Sequence, residues 1–155
     1  MDFGSISNAG LLVIMILMFI GASPGSTGGG IKTTTFFVLM QQVRSIFSKR
    51  RLGGFHRRLP DGSLSKAATI MLMGLMVVGC GTFALCVLEP QLDFGRLLFE
   101  QISAYSTAGL STGITAELCP ASRVVLILTM FIGRVGAVTL LSLWVERPEP
   151  TARYT

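Results

Sequence analysis

The sequence predicts an all-α membrane protein: one helix–loop–helix unit preceded by a single broken helix. Half of the 155 residues are hydrophobic and only 14% are charged. The mean hydropathy of +0.65 is far above that of a soluble domain. Two apolar segments, residues 67–88 and 121–145, reach the roughly 20 residues that a helix needs to cross a bilayer. A third apolar segment, near the N-terminus, is interrupted.

Residues 1–47 are predicted to form the broken helix. An apolar run over 11–20 is followed by glycines, serines and threonines in 21–35, and a helical pattern resumes over 36–47. Pro24 lacks a backbone donor, so the interruption should bend. Non-helical backbone at membrane depth has to be covered by protein or line a watery path. The interruption is therefore a candidate moving part beside a transport route.

Residues 48–66 form a basic connecting loop, and the C-terminal tail, 146–155, carries Arg147 and Arg153 beside two glutamates. Short basic loops between membrane helices mark the cytoplasmic side. Nucleic-acid binding is the competing explanation for such a cluster, and the apolar flanks favour topology. The positive side chains in and around the loop are Arg44, Lys49, Arg50, Arg51, Arg57, Arg58 and Lys66.

Residues 67–145 are predicted to form the helix–loop–helix unit. Gly74, Gly79 and Gly81 should allow close packing of the first helix, and Glu89 should end it on the outer side. A short helix over 93–102, begun by Asp93, would then point its C-terminal dipole end inward, where it favours a cation. A surface amphipathic helix is the alternative for 93–102. The uncharged loop after it, 103–115, has the wrong composition for a solvent turn.

That loop carries a family resemblance. Residues 107–111, Thr-Ala-Gly-Leu-Ser, resemble the Thr-Val-Gly-Tyr-Gly filter of potassium channels, in which carbonyls replace the hydration shell of the ion. The longer run 106–115 is similar to the last filter of the Trk/Ktr/HKT potassium transporters, whose four helix–pore-loop–helix repeats surround one pore. Ala108 departs from the branched residue that is more usual there. In a filter of this kind, Gly109 should need a positive φ to aim a carbonyl at the ion.

Two further stretches extend the resemblance over nearly the whole chain. Residues 21–35, GASPGSTGGGIKTTT, resemble the gating stretch in the second helix of the third repeat, and the IKTTT ending is most similar to the Ktr branch. Residues 131–136, FIGRVG, are similar to the middle of the last helix. Arg134 in this stretch is a charge at membrane depth, which is costly unless it faces protein or water. It either bonds to backbone acceptors or acts as an electrostatic element near the pore.

The resemblance assigns candidate sites. The candidate ion-binding filter residues are Thr107, Ala108, Gly109, Leu110 and Ser111. The candidate gating residues are Gly21, Ser23, Pro24, Gly25, Ser26, Thr27, Gly28, Gly29, Gly30, Lys32 and Arg134. The domains implied are the broken second helix of the third repeat (1–47), a cytoplasmic loop (48–66), the fourth repeat (67–145) and a cytoplasmic tail (146–155).

The function implied is potassium uptake through a filter-lined pore of a multi-pass protein in the cytoplasmic membrane. Potassium is the ion bound, sodium dependence is left open, and no organic cofactor is expected. The implied partners are the lipid bilayer, a second copy of the full-length protein, and a cytosolic nucleotide-binding regulatory ring of the Ktr/Trk type. No nucleic acid is expected. A truncated, nonconducting membrane interaction subunit is the main alternative, and a tetramer of the short chain is a lesser one.

Enzyme classes find little support in the sequence. Gly25 and Gly30 have the spacing of a phosphate-binding loop, but Ile31 stands where that motif requires lysine. Cys80, Cys86 and Cys119 lack the spacing of a metal site or a disulfide framework, and His56 is the only histidine. We therefore expect no covalent chemistry and no metal beyond potassium.

Overall fold

The computed structural model describes residues 7–21, 23, 28–48 and 63–135 of the chain. Within these residues the protein is helical and contains no strand, apart from an isolated parallel bridge between Ile20 and Ile31. The helices are α1 (Asn8–Phe19), α2 (Thr33–Ser48), α3 (Ser63–Leu88), α4 (Phe94–Ser106) and α5 (Pro120–Val135), with a 3₁₀ turn over Ile114–Ala116. The all-α prediction is confirmed for the described residues.

Helix α3 is long and apolar enough to cross a membrane over Ala67–Leu88, with a mean hydropathy of 2.3. Only 28% of that apolar window is buried inside the protein. A core helix of a soluble protein would be mostly buried, and water disfavours so much exposed apolar surface. The exposed side chains are instead suited to lipid or to further protein.

The region predicted as a broken helix contains two separate helices, α1 and α2. Helix α1 ends where Ile31 N–H donates to the carbonyl of Phe19 at 3.3 Å, and this bond returns the chain to the helix end. The predicted interruption began at residue 21 and ran to residue 35, whereas α2 already begins at Thr33. The three threonines at 33–35 therefore belong to the second half of the helix.

Helix α4 lies at the centre of the described structure and packs against α1, α3 and α5. Asp93 caps its N-terminus, since Oδ2 accepts from Gly95 N–H at 3.0 Å and from Arg96 N–H at 3.4 Å. This cap was predicted. The helix runs four residues beyond the predicted end at residue 102, because the Ser106 hydroxyl bonds to the carbonyl of Ile102 at 2.8 Å and keeps the last turn closed.

Two apolar clusters flank α4 and bury almost all of its second half. Both clusters include buried residues of α4. The first cluster joins α4 to α1 and α3, and the second joins α4 to α3 and α5. The first cluster contains Met18, Ile31, Val78, Phe99, Ile102 and Tyr105. The second contains Leu85, Leu97, Ala104, Ile114, Leu118 and Leu126.

Glycines bring α3 and α5 into contact with α4. A side chain at Gly81 would overlap the amide of Gln101, and one at Gly74 would reach the Tyr105 hydroxyl at 2.6 Å. The prediction of close packing is confirmed at these two positions. At Gly79 the described residues place no atom within 4 Å of the position of a Cβ, so close packing there stays a prediction. Gly79 lies on an exposed face of α3, which a count of small residues cannot distinguish from a packed face.

Helix α5 begins against the end of α3. Glu89 follows directly after α3, and its Oε1 accepts from Cys119 N–H at 2.6 Å and from the Ser122 hydroxyl at 3.1 Å. The α5 helix is predicted over 121–145; it is helical from Pro120 to Val135, and residues 136–145 lie outside the described part of the chain. The buried carboxylate of Glu89 therefore fixes the N-terminus of α5 next to the C-terminus of α3.

Candidate functional site

The loop that follows α4 starts with a left-handed residue. Thr107 has φ 52° and ψ 35°, and its N–H donates to the carbonyl of Ala104 at 3.1 Å. Ala108 N–H donates to the carbonyl of Ser103 at 3.1 Å. A non-glycine residue in this region is uncommon and indicates a functional or steric constraint. These bonds close the C-terminus of α4 and turn the backbone sharply away from the helix axis.

Ser103 holds the loop from the helix side. Its hydroxyl donates to the carbonyl of Leu110 at 2.6 Å and accepts from Leu110 N–H at 3.0 Å. Both backbone groups of one loop residue are therefore satisfied by one side chain of α4. The Leu110 carbonyl faces α4 in this arrangement, and any ion that it bound would share the oxygen with Ser103.

Glu100, one turn before Ser103 on α4, binds the next part of the loop. Its Oε1 accepts from the Ser111 hydroxyl at 2.5 Å and from the backbone N–H of Thr112 at 2.9 Å. The Thr112 hydroxyl lies 3.4 Å from the same oxygen. Its Oε2 accepts from the Thr115 hydroxyl at 3.0 Å. The carboxylate is only 5% exposed, so these donors are its main source of solvation.

Gly109, between the helix-end bonds of Thr107 and Ala108 and the attachment of Leu110, has φ 73°, which side-chain-bearing residues rarely adopt. A positive φ at Gly109 was predicted from the need to aim a carbonyl, and this backbone conformation is confirmed. No atom lies within 4 Å of the position of a Cβ there, so the conformation rather than space requires glycine. The backbone of residues 108–109 is exposed, unlike the buried end of α4.

The connection between α1 and α2 reaches this loop. Gly29 N–H donates to Thr107 Oγ1 at 2.9 Å. Gly29 is buried, and a Cβ on it would lie 3.0 Å from the Gly133 carbonyl oxygen and 3.1 Å from the Tyr105 carbonyl oxygen. The two predicted sites, 21–35 and 107–111, therefore meet at Gly29 and Thr107, at the end of α4.

Gly133 of α5 completes the contact. A side chain there would overlap the carbonyl of Tyr105, so glycine lets α5 approach the last turn of α4. Arg134 comes next in the sequence, and its side chain is exposed. The arginine therefore directly follows the glycine at which α5 comes close to Tyr105 and Gly29.

The structure brings only some of the predicted gating residues to this place. Gly29 and Gly28 lie in the described connection, Gly21 and Gly30 adjoin the Ile20–Ile31 bridge, and Lys32 is exposed next to α2. Of Ser23 only its exposed position is described. The gating predictions at Pro24, Gly25, Ser26 and Thr27 lie outside the described residues.

Sequence reasoning missed Glu100, Ser103, Tyr105 and Gly133. Glu100 was given no role from the sequence, although an ionisable residue within an apolar protein is a functional candidate in its own right. The spacing of Glu100 and Ser103, three residues apart on one helix face, was the available signal. No group of three or more metal-ligating side chains occurs among the described residues.

Comparison with known proteins gives one family and several relatives. The TrkH family, whose description is "Cation transport protein", matches residues 1–152. Ktr system potassium uptake protein D of Bacillus subtilis is 40% identical over 154 residues, which are 99% of this chain and 34% of the relative. Ktr system potassium uptake protein B of the same bacterium is 36% identical over 155 residues, 99% of this chain and 35% of the relative.

A further relative is potassium/sodium uptake protein NtpJ of Enterococcus hirae, which is 36% identical over 158 residues. The match covers 99% of this chain and 35% of that protein. The chain therefore spans about a third of the length of the curated relatives that it matches.

Proposed function

This chain belongs to the TrkH family of cation transport proteins, and on that premise we propose that it contributes part of a pore for potassium uptake. The observation that carries the proposal is similarity over 99% of the chain to proteins named for potassium uptake. Because the chain spans only about a third of those relatives, the transport activity belongs to a complete transporter that contains it.

Residues 107–111 supply one strand of the ion filter in this proposal. Dehydrated potassium binds to backbone carbonyls of Thr107, Ala108, Gly109, Leu110 and Ser111, which substitute for its hydration shell. The turn at Thr107 and the positive φ of Gly109 support this role, because they separate the loop backbone from the helix. The C-terminal end of α4 adds a negative dipole end that favours a cation. The Leu110 carbonyl keeps a second lone pair beside its bond from Ser103.

Residues 21–35 and Arg134 form the gate below this filter. The support is the contact of Gly29 with Thr107 and its approach to Gly133, the neighbour of Arg134. A segment with several glycines can have two backbone arrangements that differ by a few kcal/mol, and a regulatory partner can bias them. The charge of Arg134 repels a cation that passes nearby.

The proposed organisation follows the family pattern. Residues 1–47 are the broken second helix of a third pore repeat, and 67–145 are a fourth helix–pore-loop–helix repeat. The basic loop 48–66 and the tail 146–155 lie in the cytoplasm and contact a cytosolic nucleotide-binding regulatory ring. The complete protein is a multi-pass homodimer of the cytoplasmic membrane. Sodium dependence is proposed from the relative named for potassium/sodium uptake.

Flux measurements on a complete transporter containing this chain test the proposal. The purified protein is reconstituted into liposomes, and potassium and sodium influx are measured against protein-free liposomes and against a variant lacking residues 107–111. We expect potassium influx with the parent protein and none with the deletion. A correctly inserted parent that moves no potassium would contradict the proposal and favour the nonconducting membrane subunit.

A further inference from the structure

Glu100 is a buried carboxylate with no assigned role. It lies in the middle of α4, among buried residues on both sides, with 5% of its surface exposed. Burying such a group is unfavourable unless hydrogen bonds replace the water that it loses. Its donors all come from the short stretch 111–115, namely the Ser111 hydroxyl, the Thr112 backbone N–H and hydroxyl, and the Thr115 hydroxyl.

The groups that donate to Glu100 also lie against one another. The Ser111 and Thr115 hydroxyls lie 2.7 Å apart, and Gly113 N–H donates to Ser111 Oγ at 2.9 Å. The carboxylate therefore lies at the centre of a small network that includes the backbone of Thr112 and the side chains at both ends of the turn. Such a network fixes the turn more rigidly than any single bond would.

The attachments of the loop to α4 define which part of it is held. The C-terminal bonds of α4 fix its start at Thr107 and Ala108. Ser103 fixes Leu110, and Glu100 fixes Ser111 and Thr112. Gly109 lies between these attachments and has the greatest backbone freedom of the five filter candidates. The direction of the carbonyls near Gly109 therefore depends on how firmly residues 110–112 are held.

We propose that Glu100 is a positioning residue for ion discrimination: its carboxylate holds the outgoing limb of the loop, residues 111–115, against α4 and thereby fixes the carbonyls of residues 109–111. This inference rests on the proposed function of residues 107–111 as an ion filter. Glu100 acts through Ser111 and Thr112 and does not touch the ion. Discrimination between potassium and sodium depends on the number and geometry of the carbonyls, so a loosened limb lets them close around the smaller ion.

Substitutions at Glu100 and at one of its partners test the role. Glu100→Ala removes all of the bonds, whereas Glu100→Gln keeps an oxygen for the donors of Oε1. Thr115→Val removes the bond to Oε2 and the hydroxyl that lies 2.7 Å from Ser111 Oγ, and it changes an exposed side chain. Glu89→Gln is the matched control, because Glu89 is the other buried glutamate that binds backbone and hydroxyl donors and it contacts α5 instead of the loop.

The readout is the ratio of potassium to sodium influx in proteoliposomes, with thermal unfolding in detergent measured in parallel. We expect Glu100→Ala to lower the ratio by at least about tenfold, as for the loss of a hydrogen bond to a charged group. Glu100→Gln and Thr115→Val should lower it by smaller factors. Glu89→Gln should keep the parent ratio.

A purely structural role predicts a different pattern. Glu100→Ala would then reduce thermal stability and total flux but leave the potassium-to-sodium ratio within about twofold of the parent. This change is well below that expected from the loss of a hydrogen bond to a charged group, and it would overturn the inference. If the alanine variant does not insert, parent ratios in both Glu100→Gln and Thr115→Val also overturn it. A parent protein that moves no potassium is a separate result, because it contradicts the proposed function before any variant is compared.

Discussion

The backbone N–H of Gly29 donates a hydrogen bond to the side-chain oxygen of Thr107 at 2.9 Å, across 78 residues of sequence. Gly29 lies in the connection between α1 and α2, and Thr107 is the first residue after α4. The bond therefore links the predicted gate to the first residue of the predicted filter. A movement of residues 28–30 removes a donor from Thr107, so gate and filter should respond together.

The first prediction concerns the gate. Deleting residues 26–29 in the complete transporter should raise potassium flux, because it removes the segment proposed to obstruct the pore. Arg134→Ala should also raise flux, since the cation loses a repulsive neighbour. The measurement is potassium flux into proteoliposomes with the regulatory partner absent.

A single-residue variant tests the same gate without shortening the chain. Gly29→Ala places a methyl group 3.0 Å from Thr107 Oγ1 and from the Gly133 carbonyl oxygen, so the connection should shift away from these atoms, its bond to Thr107 should weaken and flux should rise. Gly79→Ala is the control, because its added methyl group meets no atom within 4 Å. If all gate variants insert normally and flux stays at the parent level or falls, the connection is structural and the gate lies elsewhere.

The second prediction concerns Gly109. Gly109→Ser should weaken discrimination between potassium and sodium more than it weakens folding, because a left-handed conformation costs a side-chain-bearing residue about 1–2 kcal/mol and relaxation would turn the carbonyl. Gly79→Ser is the control: Gly79 lies on an exposed face of α3, outside residues 107–111 and outside the stretch 111–115 that Glu100 binds. Ion affinities and flux ratios that change equally in both variants, or in neither, would count against the filter assignment.

Local structure was largely predictable from the sequence. Apolar runs and their interruption predicted the helices, Asp93 predicted a cap, and the glycine in Thr-Ala-Gly-Leu-Ser predicted a positive φ at residue 109. These features depend on neighbours within a few residues, so propensity and capping determine them. The filter role of the loop itself stays a prediction.

Long-range contacts were not predictable in this way. The partners of Glu100, the contact of Gly29 with Thr107 and the approach of Gly133 to Tyr105 depend on how separate helices are placed. Helical periodicity assigns a residue to a face but does not say which loop returns to that face. The same limit explains why close packing was expected at both Gly79 and Gly81. The two glycines are two residues apart on α3, but among the described residues only Gly81 faces another helix.

The third prediction concerns orientation. Residues 48–66 and the C-terminus should lie inside and residues 89–92 outside, because the basic charge is confined to the former. Single cysteines replacing Gly54 and the exposed Gln91 would be labelled from each side of the membrane. The background must lack Cys80, Cys86 and Cys119, which are all free. Labelling of residue 54 only from outside would reverse the proposed orientation.

The fourth prediction concerns the packing of α4 on α5. Gly133→Ala should destabilise the protein by about 1–3 kcal/mol, the usual effect of overpacking, because the new methyl group overlaps the backbone carbonyl of Tyr105 and neither helix can yield locally. Gly79→Ala should leave stability near the parent value. The measurement is thermal unfolding of the purified transporter in detergent. Equal stability of the two variants would mean that α5 does not approach α4 so closely.

The last prediction concerns Glu89 and pH. The hydrogen bond from Cys119 N–H, with a further bond from Ser122, lowers the pKa of this carboxyl below its ordinary value of 4.5. A lowered pKa in the folded state means that the unfolded chain binds the proton more readily, so Glu89 contributes stability above its unfolded pKa. That contribution is lost as the pH falls below 4.5 through the folded pKa.

The parent transporter should therefore lose more thermal stability than Glu89→Gln between about pH 7 and about pH 3.5, and the two unfolding temperatures should converge at the acid end. Both proteins share their other carboxyl groups, Asp93, Glu100 and Glu117 among them, so the difference between the two curves isolates Glu89. Glu100→Gln provides a second curve, in which the bonds from Cys119 and Ser122 to Glu89 are left in place. Parallel curves of unfolding temperature against pH for the parent and Glu89→Gln would contradict this prediction. They would show that the hydrogen bond from Cys119 does not favour the ionised form of Glu89, and that α3 and α5 are joined by packing alone.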